Sequence, residues 1–534
     1  MKLLQTLQHR SVESGHEPAL QILGSDGSRW ITWHELNQQV RDTAVLLHNL
    51  GVASGNRVGI LAENSLEWIL IDLACHYLNA VSVPLNPDLS SSQLQYQISH
   101  SGISLLFASE ANFDKLSRQN IIPVVAMHHE TRPQYSCPEF VIGALQAMLT
   151  VSSSMNSELR IPAAKPDRIA SIVYTSGTTG EAKGVMLTED NLQFNAQMAW
   201  KRYQFNSDTH QFNFLPFFHA FGRTCDLYVW LEGGHLLTLA SSRQTAASEI
   251  EQVAPSHING VPYFFEKLVT LCSYAERIEK VLGNKLIQIN SGGATLDREV
   301  FDFYDSNSIA VLEGYGLTET SPVATLTGRD DIRYGSVGTA LSETQVKLND
   351  ANEVLIKGRH VCAGYYRDAE ASAELISDGW LKSGDLGRLD EDQFLYLNGR
   401  RNELIVTTGG HNVWPQAIET LLQEHDAIEQ AVIFGNGQKY LVAILFPNWE
   451  YFAERVDVSG TSDHWKDSPN VESWFMQIVK QQLKNRASYE QVAYLHLLSQ
   501  PLSIVQQQLT TKGTLRRSVI KEQLADVLDR LYTS

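Results

Sequence analysis

A stretch rich in hydroxyl side chains and glycine, closed by a lysine, reads YTSGTTGEAKGVMLT between Tyr174 and Thr188. Its glycines and hydroxyls let backbone N–H groups and O–H donors surround an anion, to which Lys183 adds a positive charge. The members of this candidate phosphate loop are Thr175, Ser176, Gly177, Thr178, Thr179, Gly180 and Lys183. The apolar run from Ile169 to Tyr174 predicts a strand that leads into the loop. The sequence therefore predicts a site for nucleotide phosphates.

The spacing of this loop differs from that of the Walker A motif. The interval from Gly177 through Gly180 to Lys183 does not fit G-x-x-x-x-G-K-[ST], and Gly184 stands where the metal-binding hydroxyl would be. On composition alone, the alternative is a plain linker. The whole fifteen-residue string, however, resembles the adenylate-forming superfamily of acyl-CoA synthetases, aryl-CoA ligases, luciferases and the adenylation domains of nonribosomal peptide synthetases.

Four further strings resemble motifs of this superfamily and follow in the family's order. They are LPFFHAFG at 215–222, NSGGATL at 290–296, EGYGLTETSPV at 313–323 and DGWLKSGDLGRLDEDQFLYLNGR at 378–400. Each string alone is compatible with an ordinary loop or turn. Together, the resemblance covers essentially the whole chain and implies ATP and Mg²⁺ as cofactors.

The resemblance assigns nucleotide contacts to the third string. It implies that Tyr315 stacks on adenine, that Thr318 donates to a phosphate and that Glu319 holds Mg²⁺. A hard cation that keeps several waters beside one carboxylate suits Mg²⁺. We also expect Gly316 to leave open space next to Tyr315, through which a chain can pass. A capped helix start at 318–320 is compatible with these roles.

The resemblance places the acyl group near His219 and the paired glycines of the second string. In isolation, such a histidine is an ordinary core or loop residue, whereas in acyl-activating relatives it lies beside the carboxylate pocket. Phe218, Ala220 and Phe221 favour an uncharged acyl chain over an amino acid. The residues expected to line the adenine and acyl pockets in the second string are Gly292, Gly293 and Ala294.

The fourth string carries the expected ribose site and leads to an expected hinge. The resemblance implies that Asp385 accepts hydrogen bonds from the ribose hydroxyls and that Arg400 reaches the ribose or a phosphate. Many relatives have a charged hinge residue where this chain has Asn402. Asparagine tolerates unusual backbone angles, so rotation is allowed, although a salt link from that position is missing.

The family's catalytic lid lysine has no direct counterpart near the C-terminal end. The chain reads LTTKGTLRR from Leu509 to Arg517, and alignment on the arginine pair puts the family's lysine at Gly513 or Thr514. The available base is Lys512, one or two positions earlier. Either the loop shifts so that Lys512 bridges the substrate carboxylate and the α-phosphate, or adenylation is weakened.

The pattern of elements predicts an α/β fold with more than one domain, since single cores rarely exceed about 250 to 300 residues. Helical periodicity alternates with short β-branched runs from Trp30 onward. We expect an N-terminal adenylation domain of layered α/β subdomains and a small β-rich subdomain at 1–398, a hinge at 399–402 and an α+β lid at 403–534. A polar connection is expected from Leu149 to Asp167.

Composition restricts the partners and the compartment. The formal net charge of −18 repels polyanions and argues against a nucleic-acid surface. The five cysteines show no metal or disulfide spacing, and no run of about 18 apolar residues predicts a transmembrane segment. We therefore expect a cytoplasmic protein; the sequence leaves its oligomeric state open.

The predicted reaction is the ATP-dependent activation of a medium- or long-chain fatty acid to its acyl adenylate, followed by transfer to a thiol to give a thioester, AMP and pyrophosphate. The strings GYYRDAEASAEL, DGWLKSGDLG and KYLVAILFPNWE most resemble long-chain fatty acyl ligases. Coenzyme A is one acceptor, and phosphopantetheine on an acyl carrier protein is the alternative, for which Arg400, Arg401, Arg516 and Arg517 could form a basic patch. A catalytically impaired nucleotide-binding relative is a further alternative, suggested by Asn402 and Lys512.

Overall fold

The computed structural model describes residues 3–24, 27–116, 122–127, 141–145, 148–149, 167–175, 182–275, 277–456, 465, 468–503, 505–509 and 515–533. Within these ranges the chain forms two compact units. The first comprises the described residues of Met1–Lys347, Leu355–Ser383 and Leu389–Leu395, and the second those of Leu348–Val354, Gly384–Arg388 and Tyr396–Ser534. The predicted α/β fold is confirmed, whereas the hinge at 399–402 stays a prediction. Most of the connection expected between Leu149 and Asp167 lies outside the described residues.

One sheet of the first unit has seven strands in the described ranges, ordered β7-β6-β5-β3-β4-β8-β9. They are β3 (Arg57–Leu61), β4 (Val81–Leu85), β5 (Leu105–Ala108), β6 (Val124–Ala126), β7 (Val141–Ala144), β8 (Ile169–Thr175) and β9 (Lys183–Thr188). The strands from β3 to β8 pair in parallel, and their apolar runs are typical of strands covered on both faces. β9 pairs antiparallel with β8, the strand predicted to lead into the phosphate loop.

A second sheet of the first unit has nine strands, counted over the described part of the chain, in the order β16-β15-β14-β13-β12-β10-β11-β1-β2. They are β1 (Pro18–Gly24), β2 (Gly27–Thr32), β10 (His210–Asn213), β11 (Leu236–Leu239), β12 (His257–Gly260), β13 (Gln288–Gly292), β14 (Ala310–Gly316), β15 (Val323–Leu326) and β16 (Thr339–Ala340). Strands β12, β13 and β14 are parallel, so their carboxyl ends meet at one edge. Ligands bind at such edges in open α/β sheets.

Helices cover these sheets. The α-helices of the first unit are Leu3–Glu13, Trp33–Asn49, Leu66–Leu78, Ser91–Ser101, Glu189–Tyr203, Val229–Gly233, Ala246–Val253, Pro262–Tyr274, Glu279–Leu282, Arg298–Ser306 and Ala369–Leu375. A π-helix spans Gly222–Tyr228, and 3₁₀ turns span Glu110–Lys115 and Thr318–Thr320. The helix after β9 begins at Thr188, whose hydroxyl accepts from Asn191 N–H at 3.1 Å while Asn191 Oδ1 accepts from Thr188 N–H at 2.8 Å. This reciprocal cap ends β9 and starts the helix.

The predicted β-rich region forms a sheet in the order β17-β18-β20-β19, with β21 also paired to β20. Its strands are β17 (Gln345–Leu348), β18 (Glu353–Lys357), β19 (Ile376–Ser377), β20 (Trp380–Leu389) and β21 (Leu395–Arg400). Turns with glycine at positive φ, such as Gly379 between β19 and β20, separate short strands. These short strands form the β-rich part of the predicted fold.

The second unit is built on a three-stranded sheet, within the residues described, in the order β24-β25-β26. The strands of this sheet are β24 (Ile428–Phe434), β25 (Leu441–Pro447) and β26 (Val492–Leu497). Two further strands, β22 (Ile405–Val406) and β23 (Asn412–Val413), form a separate two-stranded sheet. The helices of this unit are Pro415–Gln423, Trp449–Arg455, Pro469–Gln482, Arg517–Gln523 and Ala525–Thr533, with 3₁₀ turns at Arg401–Glu403 and Ser488–Glu490. Two apolar clusters bury the two faces of the three-stranded sheet.

Among the described helices of both units, none combines the length and the apolar character that crossing a membrane requires.

Candidate functional site

The predicted phosphate loop starts where β8 ends. Thr175 is the last residue of β8 and pairs with Lys183, the first residue of β9. Direct partners in an antiparallel pair have Cα atoms roughly 4.5 to 5.5 Å apart, so the two residues flank the loop between them. The intervening loop residues, Ser176, Gly177, Thr178, Thr179 and Gly180, lie outside the described residues. Their phosphate contacts therefore stay a prediction.

A tyrosine and an aspartate lie beside Lys183. Tyr366 N–H donates to Gly184 O at 2.7 Å, which aligns the segment around Tyr365 with β9. Lys183 Nζ lies 4.9 Å from the centre of the Tyr365 ring and 4.0 Å from Asp368 Oδ2. Both charged side chains are more than a third exposed, so this ion pair contributes little to stability. A phosphate could therefore replace the Asp368 carboxylate as the partner of Lys183 at little cost in free energy.

Glu319 lies on the 3₁₀ turn Thr318–Thr320, which follows β14. Its Oε1 accepts a hydrogen bond from Tyr365 Oη at 2.8 Å, and its carbonyl oxygen accepts from Cys362 N–H at 2.8 Å. Burial, together with the Glu319 charge, raises the pKa of Tyr365, so the phenol stays protonated and donates at neutral pH. The structure thus brings Lys183 and Glu319 together on either side of one tyrosine.

β14 ends in Tyr315 and Gly316. Tyr315 is buried, and its adenine stacking stays a prediction. A Cβ on Gly316 would lie 1.6 Å from the carbonyl oxygen of Pro322. The expectation of open space at Gly316 is therefore wrong, because the backbone that continues into β15 fills it. Glycine is needed here for close backbone packing.

The second string, NSGGATL at 290–296, contains the end of β13 and the turn that follows it. Gly292 ends β13 and pairs with Gly314 of β14. The Phe221 ring lies 3.2 Å from the position that a Cβ on Gly292 would occupy. Gly293 has a φ of 88°, a conformation that favours glycine, and Gly293 and Ala294 are exposed at the edge where β12, β13 and β14 end. Their pocket-lining role stays a prediction.

His219 lies in the loop before the π-helix and is half-buried. Its backbone N–H donates to Pro216 O at 3.1 Å, and the centre of its imidazole ring lies 4.7 Å from the centre of the Phe218 ring. A Cβ on Gly222 would lie 2.6 Å from Pro216 O, so only glycine lets this loop close tightly. Phe218 and Ala220 are buried beside the histidine. The loop brings the Phe221 ring against Gly292, at the end of β13.

The two predicted ribose residues are neighbours in the second unit. Arg400 Nε lies 3.2 Å from Asp385 Oδ1; the aspartate side chain is 9% exposed and the arginine 51%. Arg401 lies next to Arg400 in the chain and pairs with Glu353 at 3.4 Å. The Asn402 backbone lies in the 3₁₀ turn Arg401–Glu403. The structure therefore places Asp385 and Arg400 together, as one polar pair.

The predicted lid lysine, Lys512, lies outside the described residues. On either side of segment 510–514, Leu509 and Leu515 form an antiparallel bridge, and Arg516 N–H donates to Gln508 O at 2.7 Å. The residues that flank this segment are thus paired with each other. The role of Lys512 stays a prediction.

The residues that could hold Mg²⁺ are few. Where the structure describes the chain, no group of three or more His, Cys, Asp and Glu side chains could hold a metal alone. Protein-bound Mg²⁺ usually has one or two carboxylates, several waters and phosphate oxygens as ligands. Glu319 fits this pattern, because its carboxylate is half-buried and oriented by Tyr365.

Sequence reasoning missed two residues of this site, Tyr365 and Asp368. Both lie in the string GYYRDAEASAEL, which the sequence analysis used only as a family resemblance. Tyr365 follows Glu319 by 46 positions, and no local periodicity connects them. The signal that was available is the aromatic pair after a glycine, next to an aspartate that caps the helix Ala369–Leu375.

Comparisons with known proteins identify the family. Residues 7–366 match the family described as AMP-binding enzyme, and residues 402–534 match the AMP-binding enzyme C-terminal domain. The long-chain-fatty-acid–CoA ligase FadD15 of Mycobacterium bovis is 26% identical, over 94% of this chain and 92% of the relative. The 2-succinylbenzoate–CoA ligase of Oceanobacillus iheyensis is 30% identical, over 77% of this chain and 82% of the relative.

A solved structure shows the same fold. O-succinylbenzoate coenzyme A synthetase (MenE) from Bacillus subtilis, in complex with ATP and magnesium ion, has a TM-score of 0.75 and 23% identity and covers 96% of this chain and 98% of its own. The chain belongs to the AMP-binding enzyme family and is an acid–thiol ligase of the adenylate-forming class. The predicted family and enzyme class are confirmed.

Proposed function

We propose that this chain uses Mg·ATP to convert a medium- or long-chain fatty acid to its acyl adenylate and then transfers the acyl group to coenzyme A. The observation that carries the substrate assignment is the similarity to a long-chain-fatty-acid–CoA ligase over 94% of this chain. In the first step, a carboxylate oxygen bonds to the α-phosphorus while the bond to pyrophosphate breaks. In the second step, the thiol sulfur bonds to the acyl carbon and AMP leaves.

The Lys183 and Glu319 arrangement supports the first step. Lys183 and Thr175 flank the loop and would hold ATP phosphates, where fixed positive charge lowers the barrier as negative charge develops. Glu319 would hold Mg²⁺, which neutralises phosphate charge when bound. Tyr365 keeps the Glu319 carboxylate oriented while its ring lies beside Lys183.

The loop at His219 supports an uncharged acyl chain. Phe218 and Ala220 are buried beside the histidine, and Phe221 lies against Gly292. A substrate ammonium would need a carboxylate partner, and this string offers aromatic and aliphatic side chains instead. The proposal therefore favours a fatty acid over an amino acid.

The pairing of the arginines gives little support to an acyl carrier protein as the acceptor. An acidic carrier needs uncompensated positive charge on its partner, whereas Arg400, Arg401 and Arg517 pair with Asp385, Glu353 and Glu419. These ion pairs cancel much of the expected basic patch. We also propose that Lys512 serves as the lid lysine, and that residues 399–402 act as the hinge between an adenylation domain at 1–398 and a lid at 403–534. We assign the reaction to the cytoplasm.

Product analysis tests the proposal. The enzyme is incubated with ATP, Mg²⁺ and either a straight-chain acid from hexanoate to octadecanoate or 2-succinylbenzoate, together with either coenzyme A or a holo acyl carrier protein, and thioesters are detected by mass spectrometry. The proposal predicts fatty acyl-CoA as the main product. Acylation of the carrier alone would contradict the acceptor, and product with 2-succinylbenzoate but with no fatty acid would contradict the substrate.

A further inference from the structure

The π-helix Gly222–Tyr228 carries two buried charged residues, Arg223 and Asp226, for which the proposed reaction gives no role. The helix starts three positions after His219. π-Helices are rare and frequently occur at functional sites. Arg223 is 1% exposed and Asp226 is fully buried, so their contacts are internal to the protein.

Arg223 links the histidine loop to the sheet that carries the phosphate loop. Its backbone N–H donates to the backbone carbonyl oxygen of His219 at 3.0 Å, and its side-chain Nη1 donates to Ser171 Oγ at 2.6 Å. Ser171 lies in β8, four positions before Thr175. The guanidinium also forms an ion pair with the buried Asp72. Arg223 therefore joins the acyl side of the site, through its backbone N–H, to the strand that ends at the phosphate loop, through its guanidinium.

Tyr228 and Trp68 complete the surroundings of this ion pair. Tyr228 Oη donates to Asp72 Oδ2 at 2.8 Å, and the guanidinium carbon lies 5.5 Å from the Tyr228 ring centre and 5.6 Å from that of Trp68. Buried ion pairs are often no more stabilising than apolar residues of the same volume. Stability alone therefore does not account for a buried arginine here, whereas a requirement for fixed geometry does.

Asp226 attaches the same helix to the other large sheet. It accepts hydrogen bonds from Gln211 Nε2 at 2.8 Å and Asn259 Nδ2 at 2.6 Å, and it also accepts from Asn213. Gln211 and Asn213 belong to β10, and Asn259 belongs to β12. The π-helix is thus fixed by Arg223 to the seven-stranded sheet and by Asp226 to the nine-stranded sheet.

We propose that Arg223 is a positioning residue, which holds the His219 loop in a fixed place relative to the phosphate loop through its contacts with Asp72 and Ser171. The inference rests on the proposed function, in which His219 lies beside the acyl carboxylate. Correct alignment of the carboxylate with the α-phosphorus is worth much of the rate, because a displacement of about 1 Å can cost roughly 100-fold. Loss of the anchor therefore affects turnover more than ATP binding.

The test compares two double variants in which a buried ion pair becomes apolar. Asp72→Leu/Arg223→Met removes the anchor, and Arg168→Met/Glu189→Leu removes a matched pair, 2.8 Å apart and 10% and 4% exposed, that does not contact the His219 loop. Acid-dependent ATP–pyrophosphate exchange and thermal unfolding are measured for both. We expect kcat to fall by roughly 30-fold or more in the first variant, with the KM for ATP within about threefold, and to stay near wild type in the second. Arg223→Lys, which keeps the charge, should fall between them.

A substrate-independent measurement separates this inference from the proposed substrate. Hydrogen exchange of the peptide covering 215–223 is compared between wild type and the two double variants without ligands. The inference predicts faster exchange in the Asp72/Arg223 variant only. Equal protection in all three proteins, or a folded Asp72/Arg223 variant with wild-type kcat, would overturn it. Inactivity of the wild type toward all fatty acids would instead contradict the proposed function. The hydrogen-exchange comparison would then decide the inference about Arg223.

Discussion

Tyr365 donates its phenolic hydroxyl to Glu319 Oε1 over 2.8 Å, and its ring lies 4.9 Å from Lys183 Nζ. One side chain thus contacts both the carboxylate proposed to hold Mg²⁺ and the lysine proposed to hold phosphate. Neither contact follows from sequence proximity. Both depend on the pairing of the segment around Tyr365 with β9.

Tyr365→Phe removes the hydroxyl and leaves the ring beside Lys183. We expect the Mg²⁺ concentration for half-maximal activity to rise about tenfold or more, because a hydrogen bond to a charged group is worth about 1.5 to 3 kcal/mol. The measurement is a Mg²⁺ titration of ATP–pyrophosphate exchange. Tyr366→Phe, at the neighbouring position, is the control. An unchanged Mg²⁺ requirement in Tyr365→Phe would show that the hydroxyl does not orient Glu319.

Glu319→Gln keeps the size of the side chain and removes its charge. We expect exchange activity to fall at least about 100-fold, since lost transition-state stabilisation of about 2.7 kcal/mol corresponds to that factor. Thermal stability should stay close to that of wild type, because the side chain is half-exposed. Glu343→Gln, an exposed position, serves as the control. Activity near wild type in Glu319→Gln would remove Glu319 from the magnesium site.

Gly316→Ala places a methyl group 1.6 Å from the Pro322 carbonyl oxygen, which requires a backbone shift. We expect the free energy of unfolding to fall by about 3 kcal/mol or more, within the range of severe single substitutions. Gly24→Ala is the control, since its Cβ would meet Gly27 O at an ordinary 3.6 Å. Urea unfolding of both variants makes the measurement. Equal stability of the two variants would mean that the backbone at Pro322 moves away from the added methyl group at little cost in free energy.

Glu313 should make stability depend on pH. It is 4% exposed on β14, and burial raises its pKa from 4.5 to about 7. Between these two values the folded state holds a proton that the unfolded state has released, so stability falls as pH rises through this window. The total effect is about 3 kcal/mol. We expect the wild-type unfolding free energy, relative to that of Glu313→Gln, to fall by this amount between pH 4.5 and pH 7.5; a constant difference would contradict the raised pKa.

Lys512→Ala tests the assignment of the lid lysine. If Lys512 bridges the substrate carboxylate and the α-phosphate, adenylation should fall by about two orders of magnitude or more. Lys521→Ala, on the helix Arg517–Gln523, is the control. Unchanged pyrophosphate exchange in Lys512→Ala would assign that role elsewhere.

The sequence predicted the elements that depend on local pattern. The apolar run Ile169 to Tyr174 became β8, and the short strands after Gly338 became a sheet. The family resemblance assigned the strings around Tyr315, Glu319 and Gly293 to the adenylate site, and in the structure they lie where β13 and β14 end. Local pattern and family resemblance were sufficient for these features.

Contacts between distant parts of the chain could not be predicted in the same way. The packing of Gly316 against Pro322 depends on how β14 turns into β15, and the sequence interpretation assigned open space there. Trp230 is stacked on Trp33 in the core, and its Nε1 donates to Ala19 O at 2.9 Å, across 211 positions of the chain. The buried Arg223 and Asp72 lie 151 positions apart and meet only in the folded chain.

The most direct test of the central claim is carboxylate-dependent ATP–pyrophosphate exchange with straight-chain fatty acids of increasing length, with an aryl acid and an amino acid as controls. The account predicts exchange that requires both Mg²⁺ and a fatty acid, with a maximum at medium or long chain length. It also predicts that Glu319→Gln lowers this exchange at least about 100-fold. Exchange with the aryl or amino acid alone, or no exchange with any fatty acid, would contradict the claim that this chain activates fatty acids.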